Sequence, residues 1–291
     1  MKSGATFDEG TIKSIKTSAE KSGKEKEYAS IMKHLTKKDI AVQKGLNGEK
    51  VASVPGLAQK MDNKMVGRSE ECQKIYDEKI EKGKKITSDM IDATSSIGCP
   101  LYGLEHCFKG GESASGKIDR KREKDREIAN FLLSNGKITK DEADKMTSKT
   151  DEEYAAGFDD IVRFTVLSKH EDTADTVNKT VKAMQGKGYE LKELDNKWLP
   201  TKGEDGKMKP SEYKGVHLAF QSPTGETFEV QVHSKESMDV KNVNHGLYEK
   251  QRDVNTSDSE KKRLGQIMAD NVAKLQEPRG IMDLQSIKKK K

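Results

Sequence analysis

Two β-type runs, residues 216–221 and 227–232, flank Ser222-Pro223-Thr224-Gly225-Glu226 and constrain this chain more than any other stretch. Pro and Gly between two alternating apolar runs mark a tight connection, so the pattern predicts an antiparallel hairpin. Period two puts Val230 and Val232 on one face of the second strand and Glu229, Gln231 and His233 on the other. The same period aligns Tyr213, Gly215 and His217, an aromatic ring, a gap and an imidazole. One face belongs to a core and the polar face is available for chemistry. A half-exposed hairpin with plain polar alternation has the same pattern, so function must be argued from the rest of the chain.

Around the hairpin the sequence predicts a mixed sheet. Residues 158–167 form the most β-branched and aromatic run, with Asp159 and Asp160 at its entrance, where carboxylates commonly serve as Mg²⁺ ligands. Ala174, Val177, Val181 and Met184 recur at helical spacing before Gly186 and Gly188. Residues 189–198 read as a further strand, and residues 199–212 as a polar loop placed to cover a site. Upstream, Lys109, Lys117, Arg120, Lys121 and Arg122 surround the Gly110-Gly111 turn and the start of a helix. Cations beside free backbone N–H groups suit a polyphosphate, although a charge run is also the pattern of a solvated helix face. No GxxxxGK[ST] loop is present. Thr139 is placed to cap a second helix, giving a helical hairpin ahead of the sheet.

Composition bounds the remainder. With 35% charged and 32% hydrophobic residues, the 291-residue chain has no apolar run near the ~20 residues of a membrane span. A net charge of +5 with interspersed signs is weak support for nucleic-acid binding, and the basic residues 288–291 are assigned no role. Three cysteines without CxxC spacing fit a reducing compartment, and six scattered histidines argue against zinc. No apolar h-region follows Met1, so no standard secretory signal is expected, while specialised export stays open. Residues 1 to about 95 read as polar helices broken at Gly45, Gly48, Pro55-Gly56 and Gly83, with enough apolar residues between 51 and 65 to pack on something.

The order of these elements resembles the synthetase domain of the RelA/SpoT family of nucleotide pyrophosphokinases. The family's Asp-Ile strand is similar to Asp160-Ile161, its Tyr-x-x-x-His strand to Tyr213–His217, its Glu-Val-Gln strand to Glu229-Val230-Gln231, and its helical His falls at His245. The ATP-binding Lys-x-x-Glu-Ser-x-x-x-Lys segment of small family members resembles residues 109–117. The resemblance covers roughly residues 105 to 252. It implies an α+β, nucleotidyltransferase-like mixed sheet with flanking helices over residues 96–255; outside it lie a helical N-terminal module (1–95) and a C-terminal helix and basic tail (256–291).

What the resemblance implies for chemistry is transfer of pyrophosphate from ATP to a ribose hydroxyl of a purine nucleotide. Asp160 and Glu229 would be the catalytic carboxylates and hold Mg²⁺. Lys109, Ser113, Lys117, Arg120 and Lys121 would bind ATP, and Tyr213, His217, Gln231, His233 and His245 the acceptor. Departures are expected to alter specificity: Arg163 stands where the family usually has Gly, Thr165 where it has Arg, His233 where it has Arg, and Asn244 where a Glu precedes the helical His. No His-Asp dipeptide occurs in these residues, so the family's hydrolase domain is not expected here. A synthetase without hydrolase resembles the toxin-type branch, which implies a cytoplasmic site of action, delivery by a specialised secretion system or phage, and an immunity protein or antitoxin as partner. The tRNA 3′ end as acceptor, and a non-catalytic nucleotide-binding scaffold, stay open as alternatives.

Overall fold

The structure is a computed structural model and describes residues 6–7, 9–202, 207–253 and 255–287. Strand β1 (Thr6–Phe7) and helices α1 (Glu9–Lys21) and α2 (Glu25–His34) come first, followed by β2 (Ala41–Lys44), β3 (Lys50–Ser53) and the short α3 (Leu57–Met61). β1, β3 and β2 make a three-stranded sheet in that order. Polar helices alone were expected here, and Gly45 and Gly48 instead turn a β-hairpin, closed by Gly45 N donating to Glu49 O at 2.7 Å. Its strands have four residues each, too short for a period to show. Ile15, Val54 and Leu57 form a small core of their own under these elements.

Helix α4 (Glu70–Ser96) starts at Ser69, whose hydroxyl accepts from Cys72 N, and buries Cys72, Tyr76, Ile80, Ile86 and Met90 in the main core. Gly83 was read as a turn and lies within this helix. A Cβ there would stand 2.7 Å from Val162 Cγ2 and 2.8 Å from Phe108 Cε1, so the glycine is required by close packing. Next come β4 (Leu101–Tyr102), α5 (Gly111–Ser134), α6 (Lys140–Thr147) and α7 (Asp151–Ala156). Thr139 caps α6 in a reciprocal capping box with Glu142, as its sequence position predicts.

The second half comprises β5 (Arg163–Ser168), α8 (Thr173–Gly186), β6 (Glu190–Asn196), the small ribbon β7 (Thr201–Lys202) and β8 (Met208–Lys209), β9 (Val216–Gln221), β10 (Thr227–Ser234), α9 (Lys235–Gln251) and α10 (Asp258–Val272). The main sheet runs β4-β5-β10-β9-β6, with β5 and β10 parallel and the other pairs antiparallel. The protein is thus α+β, a mixed five-stranded sheet with flanking helices. The predicted hairpin is β9–β10, turned at Gly225 (φ +96°) with Ser222 N donating to Glu226 O at 2.7 Å. Phe228, Val230 and Val232 enter the core beside Val177 and Met184 of α8, where Phe228 meets Phe164, Tyr189 and Phe220. β5 begins later than the apolar run suggested, because the Asp159-Asp160 pair is held in irregular backbone.

The opposite face of β10 is less open than its polar residues suggested. Helix α9 packs across it, leaving Glu229 half-buried while Gln231 and His233 are buried. Beyond α10 the chain returns along the edge strand: Asn196 Nδ2 donates to Ile281 O (2.7 Å) and Leu284 O (3.0 Å), and Leu194 bridges Ile287. Residues 288–291, the basic tail, and residues 203–206 of the polar loop lie outside the described residues. Among the described residues no helix is long and apolar enough to cross a membrane.

Candidate active site

The cations of residues 109–121 converge on Asp160. Lys109, set by its N–H donating to Ile161 O, places Nζ 3.3 Å from Asp160 Oδ2, and Lys117 on α5 donates to Asp160 Oδ1. Lys117 and Lys121, one turn apart on α5, both lie over the buried Phe158 ring at 4.6 and 5.5 Å. Burial alone would raise the Asp160 carboxyl, but the charges of Lys109 and Lys117 outweigh it and hold the group below its ordinary value. Burial pushes the Lys109 and Lys121 ammonium groups down. Ser113 is exposed on the first turn of α5 and Arg120 is exposed beside Gly116, so neither joins the Asp160 cluster. Arg122 is taken by Asp151 and serves packing.

One expectation fails at the start of α5. Its leading N–H groups are not free: Gly111 N donates to Asp62 O at 2.8 Å and Glu112 N to Asp62 Oδ1 at 3.2 Å. The two glycines exist for this contact, since a Cβ on Gly110 would meet Asp62 Oδ2 at 2.1 Å and one on Gly111 the Lys64 carbonyl carbon at 2.3 Å. Asp62 in turn lies 3.6 Å from Lys24. The N-terminal elements therefore wall the site: a cleft of about 330 Å³ runs between Ser18 of α1 and Ser22 just beyond it on one side and Lys109, Ser113, Asp160 and Arg163 on the other.

The sheet sets the second carboxylate beside the first group. Parallel pairing of β10 with β5 puts Glu229 opposite Arg163, three residues after Asp160. Gln231 donates its amide N–H to Glu229 Oε1 and accepts from Lys241 Nζ at 2.5 Å through Oε1. A carboxylate on one side and an ammonium on the other leave only this orientation of the amide satisfied. Lys241 comes from α9, lies 6.0 Å from the Tyr213 ring centroid, and has its ammonium pushed down to about 8 by burial and by the charge of Arg163, against the pull of Glu229.

Tyr213, His217 and His233 close into one cluster. Tyr213 Oη lies 2.6 Å from His233 Nε2 and 2.8 Å from His217 Nε2, and its ring meets both imidazoles edge-on. The proton positions follow from the far end. Ser237 Oγ donates to the Ser234 carbonyl, so it accepts from His233 Nδ1 at 2.9 Å. Burial holds His233 well below its ordinary pKa, so it is neutral and its Nε2 accepts from Tyr213, whose oxygen then accepts from His217 Nε2–H. Burial, with the Glu229 charge, raises the Tyr213 hydroxyl well above the usual tyrosine value, and burial lowers His217. The gap at Gly215 is filled by this cluster, because a Cβ there would stand 2.7 Å from His233 Cε1 and 2.9 Å from Tyr213 Oη.

His245 is exposed one turn beyond Lys241 on the same helix face, outside the hydrogen-bonded cluster. Its neighbour Asn244 instead ties α9 to α10, donating to Met268 O and accepting from Asn271. Lys241, Asp62 and Lys24 are the site neighbours that sequence reasoning missed. The spacing of Met238, Lys241 and His245 on α9 was the available signal for the first.

Among the described residues no three His, Cys, Asp or Glu side chains gather into a metal-holding group. Mg²⁺ asks for less, one or two carboxylates completed by substrate phosphates and water. Asp160, in the irregular segment just ahead of β5, and Glu229 on β10 fit that donor set. Asp159 is engaged elsewhere, accepting from Thr227 Oγ1 at 2.5 Å.

Among solved structures the chain is similar to the type VI effector Tas1, crystallised in complex with its immunity protein, at 14% identity and a TM-score of 0.41, over 72% of this chain and 97% of that one. It is also similar to a GTP pyrophosphokinase family protein from Streptococcus pneumoniae (16% identity, TM-score 0.40, 70% and 88% covered). A third is the small alarmone synthetase 1 from Bacillus subtilis bound to its product pppGpp (17% identity, TM-score 0.27, 50% and 68% covered). No family model and no curated protein matches the chain.

Proposed function

We propose that the protein is an ATP-dependent pyrophosphokinase that transfers the β,γ-pyrophosphoryl group of ATP to a ribose hydroxyl of a purine nucleotide. The observation that carries the reading is the convergence of separate stretches of chain on two carboxylates. Lys109 and Lys117 meet at Asp160, while Gln231 links Glu229 to Lys241 and the Tyr213 cluster. A polyphosphate has lysines on one side and an acceptor has a polar, aromatic wall on the other.

In this reading Lys109, Lys117 and Lys121 hold the ATP phosphates, with the adenylate in the cleft walled by α1. The acceptor oxygen attacks Pβ, the bond from Pβ to the bridging oxygen of the α-phosphate breaks, and AMP leaves with that oxygen. Glu229 takes the proton of the attacking hydroxyl. Mg²⁺ held by Asp160 and Glu229 would supply charge neutralisation to the phosphates. Tyr213 offers ring surface for the acceptor base, and the hydrogen bonds from His217 and to His233 keep that ring in place. The toxin-type reading adds action in the cytoplasm, where ATP is available, and a cognate immunity protein or antitoxin as partner.

Incubating the purified protein with γ-labelled ATP and Mg²⁺, and separately GDP, GTP, AMP, ADP, ATP or deacylated tRNA, tests the proposal. Label on a purine nucleotide is expected. Label on none of them defeats the enzyme reading, and label on tRNA alone replaces the acceptor.

A further inference from the structure

Two cations at this site lack a close carboxylate partner among the described residues. Arg163 on β5 and Lys241 on α9 make no ion pair among the described residues, whereas Lys109 and Lys117 are both paired with Asp160. Among the described residues the Lys241 side chain hydrogen-bonds to the neutral amide of Gln231 alone, and both cations are half-buried. Glu229 acts on both at longer range, opposite Arg163 in the ladder and opposing the lowering of Lys241, but a charge partly withdrawn from water, without a close ion pair and beside a second like charge, costs free energy that a bound anion would offset.

Their position selects the anion. Gln231 pairs with His217 across the β10–β9 ladder, so Lys241, held by Gln231 and 6.0 Å from the Tyr213 ring centroid, stands on the acceptor side of Glu229. Arg163 pairs with Glu229 and also lines the cleft that contains Lys109 and Asp160, so it stands where the two halves meet. Three lysines already serve the donor phosphates, which leaves Arg163 and Lys241 for a second phosphate group.

We propose that Lys241 and Arg163 form an anion site for the phosphates of the acceptor nucleotide, next to the Tyr213 ring that takes its base. The assignment rests on the pyrophosphokinase reading for the word acceptor, but the site itself is defined by nucleotide phosphate binding. It predicts that the acceptor is a nucleotide, since a nucleoside would leave both cations without a close anion. The lowered Lys241 ammonium agrees with this, because burial without a close ion pair pushes it down and a phosphate beside it would push it back up.

Calorimetric titration of GDP, ADP, guanosine and adenosine, without ATP or Mg²⁺, tests the site independently of catalysis. The wild type should bind at least one diphosphate more tightly than its nucleoside. Lys241→Met and Arg163→Gln should each weaken that diphosphate roughly tenfold or more and leave the nucleoside unchanged, with Lys241→Arg recovering most of the loss. Lys241→Met replaces an unpaired charge by an apolar chain of similar length and should fold, which its melting transition checks. The proposal is overturned if the wild type binds neither diphosphate. It also falls if both variants bind like wild type, if nucleoside and diphosphate weaken equally, or if Lys117→Ala abolishes diphosphate binding while Lys241→Met does not. Absence of label transfer combined with the expected titrations would remove the enzyme reading and keep the site.

Discussion

Replacing Asp160 by Asn removes the one anion that Lys109 and Lys117 share. The three side chains are 15–21% exposed, so the ion pairs are neither fully solvated nor fully buried. Each charged hydrogen bond of this kind contributes on the order of 1–2 kcal/mol. Mutual repulsion of two ammonium groups left behind adds to the loss, while partial exposure and their freedom to swing outward reduce it. A net destabilisation of about 2 kcal/mol, or roughly 5 °C in Tm, is expected. Because the folded Asp160 carboxyl is held below its ordinary 3.8, its contribution is full above that value and lost as pH falls through the lower folded pKa. The Tm difference should therefore be constant from neutral pH down to about 5 and shrink below 4. Activity should fall far more, about a thousandfold, since a metal ligand and the anchor of two phosphate-binding lysines go together. Asp159→Asn is the comparison: its amide oxygen can still accept from Thr227 Oγ1, so it loses only the charge and should keep transfer within a few-fold. Label transfer and melting curves for both variants check this. Equal, severe loss of activity from the two would refute the choice of carboxylate, and transfer by Asp160→Asn within a few-fold of wild type would refute its role.

Glu229→Gln should abolish transfer at saturating Mg²⁺ while the melting transition barely moves, because the side chain is half-buried on a polar face. Tyr213→Phe keeps the ring and leaves His233 Nε2 and the His217 N–H without a partner, so it should lower stability by about 1–3 kcal/mol and change acceptor KM little. Tyr213→Ala should instead raise acceptor KM about tenfold or more in steady-state assays. Asp62→Ala frees the Glu112 N–H and removes a negative charge beside the cleft; it should lower KM for ATP severalfold at a stability cost of about 1 kcal/mol, and a raised KM would mean that Asp62 supports the donor rather than competing with it.

The parts of the fold that could be read from sequence are those where local chemistry and tertiary structure agree. The Pro-Gly connection, the alternation of residues 227–232 and the Thr139 cap each specify their own geometry within a few residues. Most of the failures share one cause, contacts distant in sequence. Gly83 is a helix residue because Val162 and Phe108 occupy its Cβ position, and no local pattern contains that information. Gly110-Gly111 looks like an open anion cradle until Asp62, about fifty residues earlier, is placed on it. Gln231 and His233 alternate as solvent-facing residues would, yet α9 folds back over them and converts the face into a closed hydrogen-bonded cluster. Lys241 joins the site for the same reason. The four-residue strands β2 and β3 were missed because they span too few residues for a period.

The central claim is that Pβ of ATP is the atom attacked, and parallel reactions with α-labelled and γ-labelled ATP measure this directly. The account predicts that the γ label appears on the acceptor nucleotide while the α label appears in AMP, in equal amounts, and that Glu229→Gln yields neither product. Transfer of the α label to the acceptor with release of pyrophosphate would show nucleotidyl transfer instead, and release of the γ label as inorganic phosphate with ADP left behind would show hydrolysis. Either result contradicts the account.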